Sequence, residues 1–176
     1  MIEQAKLVRY CDELLNAGLF KDYCPNGLQV EGKSNINRII SGVTANQALI
    51  DTAIERKADL ILVHHGFFWK GENAVVTGMK QRRLKALLVN DINLLAYHLP
   101  LDAHKTLGNN VALANKLGLK NQTCFASNEI AIIGDLDETE MALKQRITEQ
   151  LFREPLHVEV QRPISRVEIC TGAAQS

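Results

Sequence analysis

The sequence has no excess of either charge. Lys and Arg total 20, as do Asp and Glu, so no overall field draws the chain toward nucleic acid or an anionic membrane. A nucleic-acid role would need a local patch, and the nearest one, Lys80-Gln81-Arg82-Arg83-Leu84-Lys85, reads most simply as the solvated face of a helix. Long apolar runs are missing too. Nothing approaches the ~18 residues of a spanning helix, and Met1-Ile2-Glu3-Gln4-Ala5-Lys6 lacks an apolar signal core. We therefore expect a cytoplasmic protein without a membrane partner. Cysteine is sparse, and Cys11, Cys24, Cys124 and Cys170 form no Cys-x-x-Cys pair and no regular framework, which fits reduced thiols. Cys24, before Pro25-Asn26-Gly27, would act as a nucleophile only with a base beside it, and nothing local supplies one.

What is present is an ordinary globular composition. The chain has 176 residues, 46% hydrophobic and 23% charged, enough to bury a core without staples. Helix and strand patterns alternate, the mark of an α/β (α+β) fold with mixed sheets flanked by helices. The spacing predicts a helix over residues 3 to 17 with Leu7, Cys11, Leu14 and Leu15 on one face, then a loop over 23 to 32. A βαβ unit follows: strand 38 to 43, helix 46 to 57 with Leu49, Ile50, Ala53 and Ile54 inward, strand 60 to 63. A helix over 78 to 90, carrying Met79, Leu84, Leu87 and Leu88 inward, leads into a strand that ends at His98, and a further helix covers 109 to 116. The pattern restarts after residue 122. It gives a strand over 130 to 133, a helix over 138 to 152 capped by Asp135-Leu136-Asp137-Glu138, and strands over 156 to 160 and 166 to 171. We expect two lobes, 1–122 and 123–176. Ile36-Asn37-Arg38-Ile39 is echoed by Ile164-Ser165-Arg166-Val167, so the second lobe reads as an incomplete copy of the first, in a chain that is a fragment or a shortened version of a longer one.

The chemistry gathers at two strand ends. Leu60-Ile61-Leu62-Val63 runs into His64-His65-Gly66, and Leu94-Leu95-Ala96-Tyr97 runs into His98-Leu99-Pro100-Leu101-Asp102-Ala103-His104. Continuous apolar runs mark strands buried on both faces, and ligands collect at the carboxyl ends of such strands. Imidazole and carboxylate donors suit zinc, iron, manganese, cobalt or nickel without choosing among them. Strand geometry would point His64 and His65 to opposite sides, so each would serve a different metal. Pro100 ends the second strand, and Gly66 permits a tight exit from the first. The alternative is that these are polar residues at strand ends, hydrogen-bonded to backbone. His157, alternating with apolar residues in Pro155-Leu156-His157-Val158-Glu159-Val160, reads as a solvent-facing strand position.

Four segments resemble the Nif-three-like dinuclear metal-binding family, whose members carry the name GTP cyclohydrolase 1 type 2 homologue. They are Asn26-Gly27-Leu28-Gln29-Val30, His64-His65-Gly66 with Phe68-Trp69, His98-Leu99-Pro100-Leu101-Asp102, and Gly172-Ala173-Ala174. The resemblance implies two similar subdomains, a two-metal site between them and a ring-shaped homohexamer. It implies His64, His65 and Asp102 as metal ligands and His98 as a nearby site residue, with a histidine and a bridging glutamate from a further C-terminal part completing the site.

The expected function is a dinuclear metal-dependent hydrolase, acting on a nucleotide or purine-like small molecule through a metal-activated water. His98 or His104 would shuttle the proton. Two other classes compete: a non-catalytic metal-binding or interaction protein, and a metal-free acid–base enzyme pairing His98 with Asp102.

Overall fold

The computed structural model describes residues 1–126, 129–159 and 163–172. It divides into two compact units, Met1–Leu101 and Asp102–Ser176, and the restart of the pattern at residue 123 falls inside the second. The architecture is α/β, with three sheets and six α-helices among the described residues.

In the first unit, α1 (Gln4–Leu14) continues into a short 3-10 turn at Ala17–Leu19. Strands β4 (Ile39–Thr44), β5 (Leu60–His65) and β6 (Asn93–Ala96) run parallel, joined by helices α2 (Gln47–Glu55) and α3 (Gly78–Val89). Strand β2 (Gly27–Val30) adds antiparallel to β6, giving the order β2-β6-β5-β4. A two-stranded ladder pairs β1 (Ile2–Glu3) with β3 (Asn35–Ile36). The central strands are apolar on both faces, as their continuous Leu/Ile/Val runs require. Leu94, Ile61 and Val63 pack with Ile50, Ala53 and Leu87 on one side, while Leu60, Leu95 and Tyr97 pack with Leu15 and Ile36 on the other.

The amino ends of β5 and β6 carry a buried polar knot. Asn93, fully buried, accepts from Gly32 N at 2.9 Å and donates to the carbonyls of Lys33 and Asp59 at 2.9 and 3.0 Å. Asp59, 8% exposed, accepts from Lys33 Nζ at 2.7 Å and from the backbone N–H groups of Asn37 and Arg38 at 2.9 and 3.0 Å. One end of the sheet is thus pinned by satisfied polar groups. The histidines stand at the other.

In the second unit, α5 (Asn109–Lys116) packs on an antiparallel sheet of β7 (Lys120–Phe125), β8 (Ala131–Glu138) and β9 (Ile164–Ile169), with β8 central. Helix α6 (Glu140–Leu151) contributes Leu143 and Ile147 to the same core. No helix among the described residues is long and apolar enough to cross a membrane.

Several expectations are corrected. The stretch 23 to 32 is not all loop, since it contains β2. Leu14, Met79 and Leu88 are exposed, because α1 and α3 bury narrower stripes than the apolar pattern suggested. Residues 135 to 138 are strand rather than cap, their acidic side chains falling largely on the more open side of the β8 alternation. Thr139 caps α6, its Oγ1 accepting from Ala142 N at 3.2 Å, so Thr139→Ala is expected to lower stability by about 1 kcal/mol in urea unfolding. Residues 156 to 159 form no strand. Val160 lies outside the described residues, as do Ala173 and Ala174.

Candidate metal centre

Strand β5 ends on His65, and the chain leaves β6 through Tyr97 and His98 into the short helix α4 (Leu99–Ala103), with Pro100 in its first turn. The last residue pair between β5 and β6 is Val63 with Ala96. Beyond it the β5–β6 ladder pairs no further residues, while His65 still pairs with Thr44 on β4. The ring centroids of His64 and His65 lie 4.4 Å apart, and His98 lies 5.1 and 5.7 Å from them. The expectation that His64 and His65 face opposite sides is therefore overturned. Their ligand-capable nitrogens, with that of His98, all lie within 4.8 Å of one another.

Each ring is held at Nδ1 by an oxygen. His64 Nδ1 meets the Tyr97 carbonyl at 3.0 Å, His65 Nδ1 the Thr44 hydroxyl at 3.2 Å, and His98 Nδ1 the Asp22 carboxylate at 2.7 Å. A carbonyl and a carboxylate only accept, so Nδ1 carries the proton in His64 and His98 and the ring lone pair stands on Nε2. Metal-ligating histidines are characteristically held in this way, by an oxygen on the other ring nitrogen. On donor set and support alike, these residues fit a divalent transition-metal ion.

The loop before β2 supplies much of that support. Asp22, with a side chain 2% exposed, would have its pKa raised by burial, but bonds from His98, Asn26, Leu99 and Tyr23 outweigh this and hold it at about 2. Gln29 donates to the Pro25 carbonyl at 2.7 Å and accepts from Phe67 N at 2.6 Å, fixing the exit from β5. Trp69, the chain's single tryptophan, donates to the Gly66 carbonyl at 3.2 Å. Its ring stands edge-on to His98 at 5.0 Å and 5.9 Å from His65. Cys24 is buried close to Asp22 and His98, so the fold brings it the imidazole that its local sequence lacked. Burial, and then the charge of Asp22, push its thiol up to about 11. It is a protonated thiol at neutral pH, not an activated nucleophile.

Of the residues singled out in the sequence, the structure brings together His64, His65 and His98. Asp102 and His104 belong to the second unit. Asp102 is 3% exposed, and its Oδ1 accepts from Asn109 Nδ2 at 2.7 Å and Thr171 Oγ1 at 3.0 Å. His104 Nδ1 accepts from the backbone N–H groups of Thr106 and Leu107 at 3.2 and 3.0 Å, holding its own loop. His157 pairs with the Glu140 carboxylate. Asp22, Thr44 and the Tyr97 carbonyl were missed. For Asp22 the only available signal was its place four residues before Asn26-Gly27-Leu28-Gln29.

A mixed sheet with three oxygen-held imidazoles at the carboxyl ends of two parallel strands defines the class: an α/β protein with a histidine cluster that could hold a metal ion. A family profile described as Duf34/NIF3 (NGG1p interacting factor 3) matches residues 2–176, and the chain belongs to that family. A GTP cyclohydrolase 1 type 2 homolog from Pseudomonas aeruginosa is 52% identical over 179 residues, which cover 99% of this chain and 71% of the relative. One from Neisseria meningitidis serogroup A is 48% identical over 178 residues, covering 99% and 72%. A solved structure described as protein ybgI, of unknown function, matches with a TM-score of 0.91 at 44% identity, covering 99% of this chain and 71% of that one.

Proposed function

We propose that this protein is a cytoplasmic, dinuclear metal-dependent hydrolase acting on a nucleotide or purine-like small molecule. His64, His65 and Asp102 serve as metal ligands and His98 moves a proton, with His104 as a second proton carrier. The observation that carries the reading is the convergence of His64, His65 and His98, each held at Nδ1 by an oxygen. Asp102 enters on its place in the His98-Leu99-Pro100-Leu101-Asp102 segment, and the nucleotide on the name borne by the relatives. Two divalent ions, when bound, supply Lewis acidity that lowers the pKa of water and polarises the substrate. The chain's own part is to fix the ring planes of His64 and His65 and to hold the His98 proton on Nδ1 against Asp22, so that Nε2 can take up another. Trp69 packs its ring against those of His65 and His98. Assembly into a homohexamer belongs to the same reading, and light scattering of the purified chain tests it.

The metal is tested by elemental analysis of protein purified without chelators, together with Trp69 fluorescence. We expect about two ions per chain and quenching by Co2+, whose unpaired electrons would lie close to the only indole. His65→Ala should lose bound metal and quenching together. A metal-free wild type whose emission ignores Co2+ would end the reading, and unchanged metal content in Asp102→Asn would remove Asp102 from the ligands. Hydrolysis is then screened with a panel of purine nucleotides.

A further inference from the structure

Asp22 and His98 are 76 residues apart in sequence yet share a 2.7 Å hydrogen bond. The carboxylate receives four hydrogens. Oδ1 accepts from His98 Nδ1 and from Tyr23 N at 2.6 Å, and Oδ2 from Asn26 Nδ2 and Leu99 N, both at 2.9 Å. Asn26 closes the ring of bonds by accepting the His98 backbone N–H at 2.8 Å. Side chain and backbone of His98 are thus gripped by the same two residues of one loop. Every partner of Asp22 is a donor, and only an ionised carboxylate satisfies four donors; an asparagine would set its amide against two of them whichever way it was turned.

That arrangement leaves neutral His98 a single tautomer. With Nδ1–H committed to Asp22, the lone pair resides on Nε2, in a ring 5.1 and 5.7 Å from those of His64 and His65. The geometry points to Asp22, locked by Asn26, as a positioning residue that holds His98 in the Nδ1–H tautomer and so presents Nε2 as an acceptor at the histidine cluster. This deepens the proposed function and rests on it for the use made of Nε2, but not for the tautomer. The depressed pKa of Asp22 agrees, since the carboxylate stays charged throughout the neutral range.

The test is a long-range proton–nitrogen correlation spectrum of 15N-labelled protein, stripped of metal and held at pH 8.5, above the ordinary imidazole range. The His98 cross-peaks are identified by their loss in His98→Gln. We expect His98 Nδ1 at the protonated, pyrrole-type shift and Nε2 at the unprotonated, pyridine-type shift. In Asp22→Ala the pattern should move to the Nε2–H form that unconstrained imidazole side chains prefer, a change that loosened packing alone would not impose. An Nε2–H tautomer in the wild type overturns the inference, and so does an unchanged tautomer in folded Asp22→Ala. Should Asp22→Ala fail to fold, the wild-type spectrum decides alone. A failure of the metal reading would appear in the Co2+ titration and leave this spectrum as it is.

Discussion

Acidification from pH 5 to pH 2 is expected to remove about 4 kcal/mol of stability, divided evenly between Asp59 and Asp22. Both carboxyls have ordinary values of 3.8 and are held at about 2. For Asp59 the Lys33 ammonium is the chief cause, with burial opposing it and the Asn37 and Arg38 N–H groups assisting. For Asp22 burial opposes and four hydrogen bonds prevail. The sign follows from linkage. A depressed carboxyl contributes its full stabilisation above its unfolded pKa, and that stabilisation drains as pH falls toward the folded value. Each group supplies about 2.4 kcal/mol at neutral pH, of which about 2 is gone by pH 2. Urea unfolding at pH 5, 3.5 and 2 measures the loss. Asp59→Asn and Asp22→Asn should be less stable at pH 7 by about 2 kcal/mol and show a flatter dependence across the window. A variant that kept the wild-type slope would show that its carboxyl is not the titrating group.

The two acids anchor opposite ends of the same sheet. Asp59 ties the chain entering β4 to the start of β5, and Asp22 ties the chain leaving β6 to the loop before β2. In a parallel sheet the strands' own ladder stops short of both edges, so side chains must finish the work there. The pH dependence of stability therefore reports on the edge polar groups, one set structural and the other at the candidate centre.

Periodicity alone revealed the parallel strands, because Leu60, Ile61 and Val63 and Leu94 to Ala96 are buried and leave no polar residue to confuse the pattern. It also revealed α2, whose Ile50 and Ala53 are fully buried and whose Asn46 caps Leu49 N at 2.9 Å. It missed β2 because Pro25, Asn26 and Gly27 are turn residues by type, and only pairing with β6, nearly seventy residues on in sequence, makes Gly27–Val30 a strand. It missed β7 because Lys120-Asn121-Gln122 is polar and borrows its order from β8. The histidines were legible as a set because the chain carries few and clusters them at strand ends. That the rings of His64, His65 and His98 converge was not, since strand alternation alone sets His64 and His65 on opposite faces. Asp22 had no local signal beyond its place four residues before Asn26, because its bonds to His98 and Leu99 span 76 and 77 residues.

Replacing Gly66 with alanine is expected to damage fold and centre together, lowering stability by about 2–6 kcal/mol and weakening Co2+ binding at least about tenfold. Gly66 directly follows His65, and a Cβ there would lie 2.7 Å from Ala96 Cβ and press on the Gln29 amide. Ala96 sits fully buried on the central strand β6 and cannot yield. Gln29 can move only by giving up the 2.6 Å bond it accepts from Phe67 N. The substitution thus combines overpacking, about 1–3 kcal/mol, with an orphaned N–H at buried Phe67, about 1–3 kcal/mol more. The strain is relieved by pushing the exit of β5 outward, which carries His65 and, through the Gly66 carbonyl, Trp69 away from His98. Thermal unfolding and the Trp69 quenching titration read the two effects separately. Gly18→Ala is the control: nothing lies within 4 Å of its Cβ position, so the change should be neutral or stabilising by up to about 1 kcal/mol. If Gly66→Ala instead matched Gly18→Ala in both measurements, the close approach of β5, β6 and Gln29 of β2 would not be what sets the histidines in place.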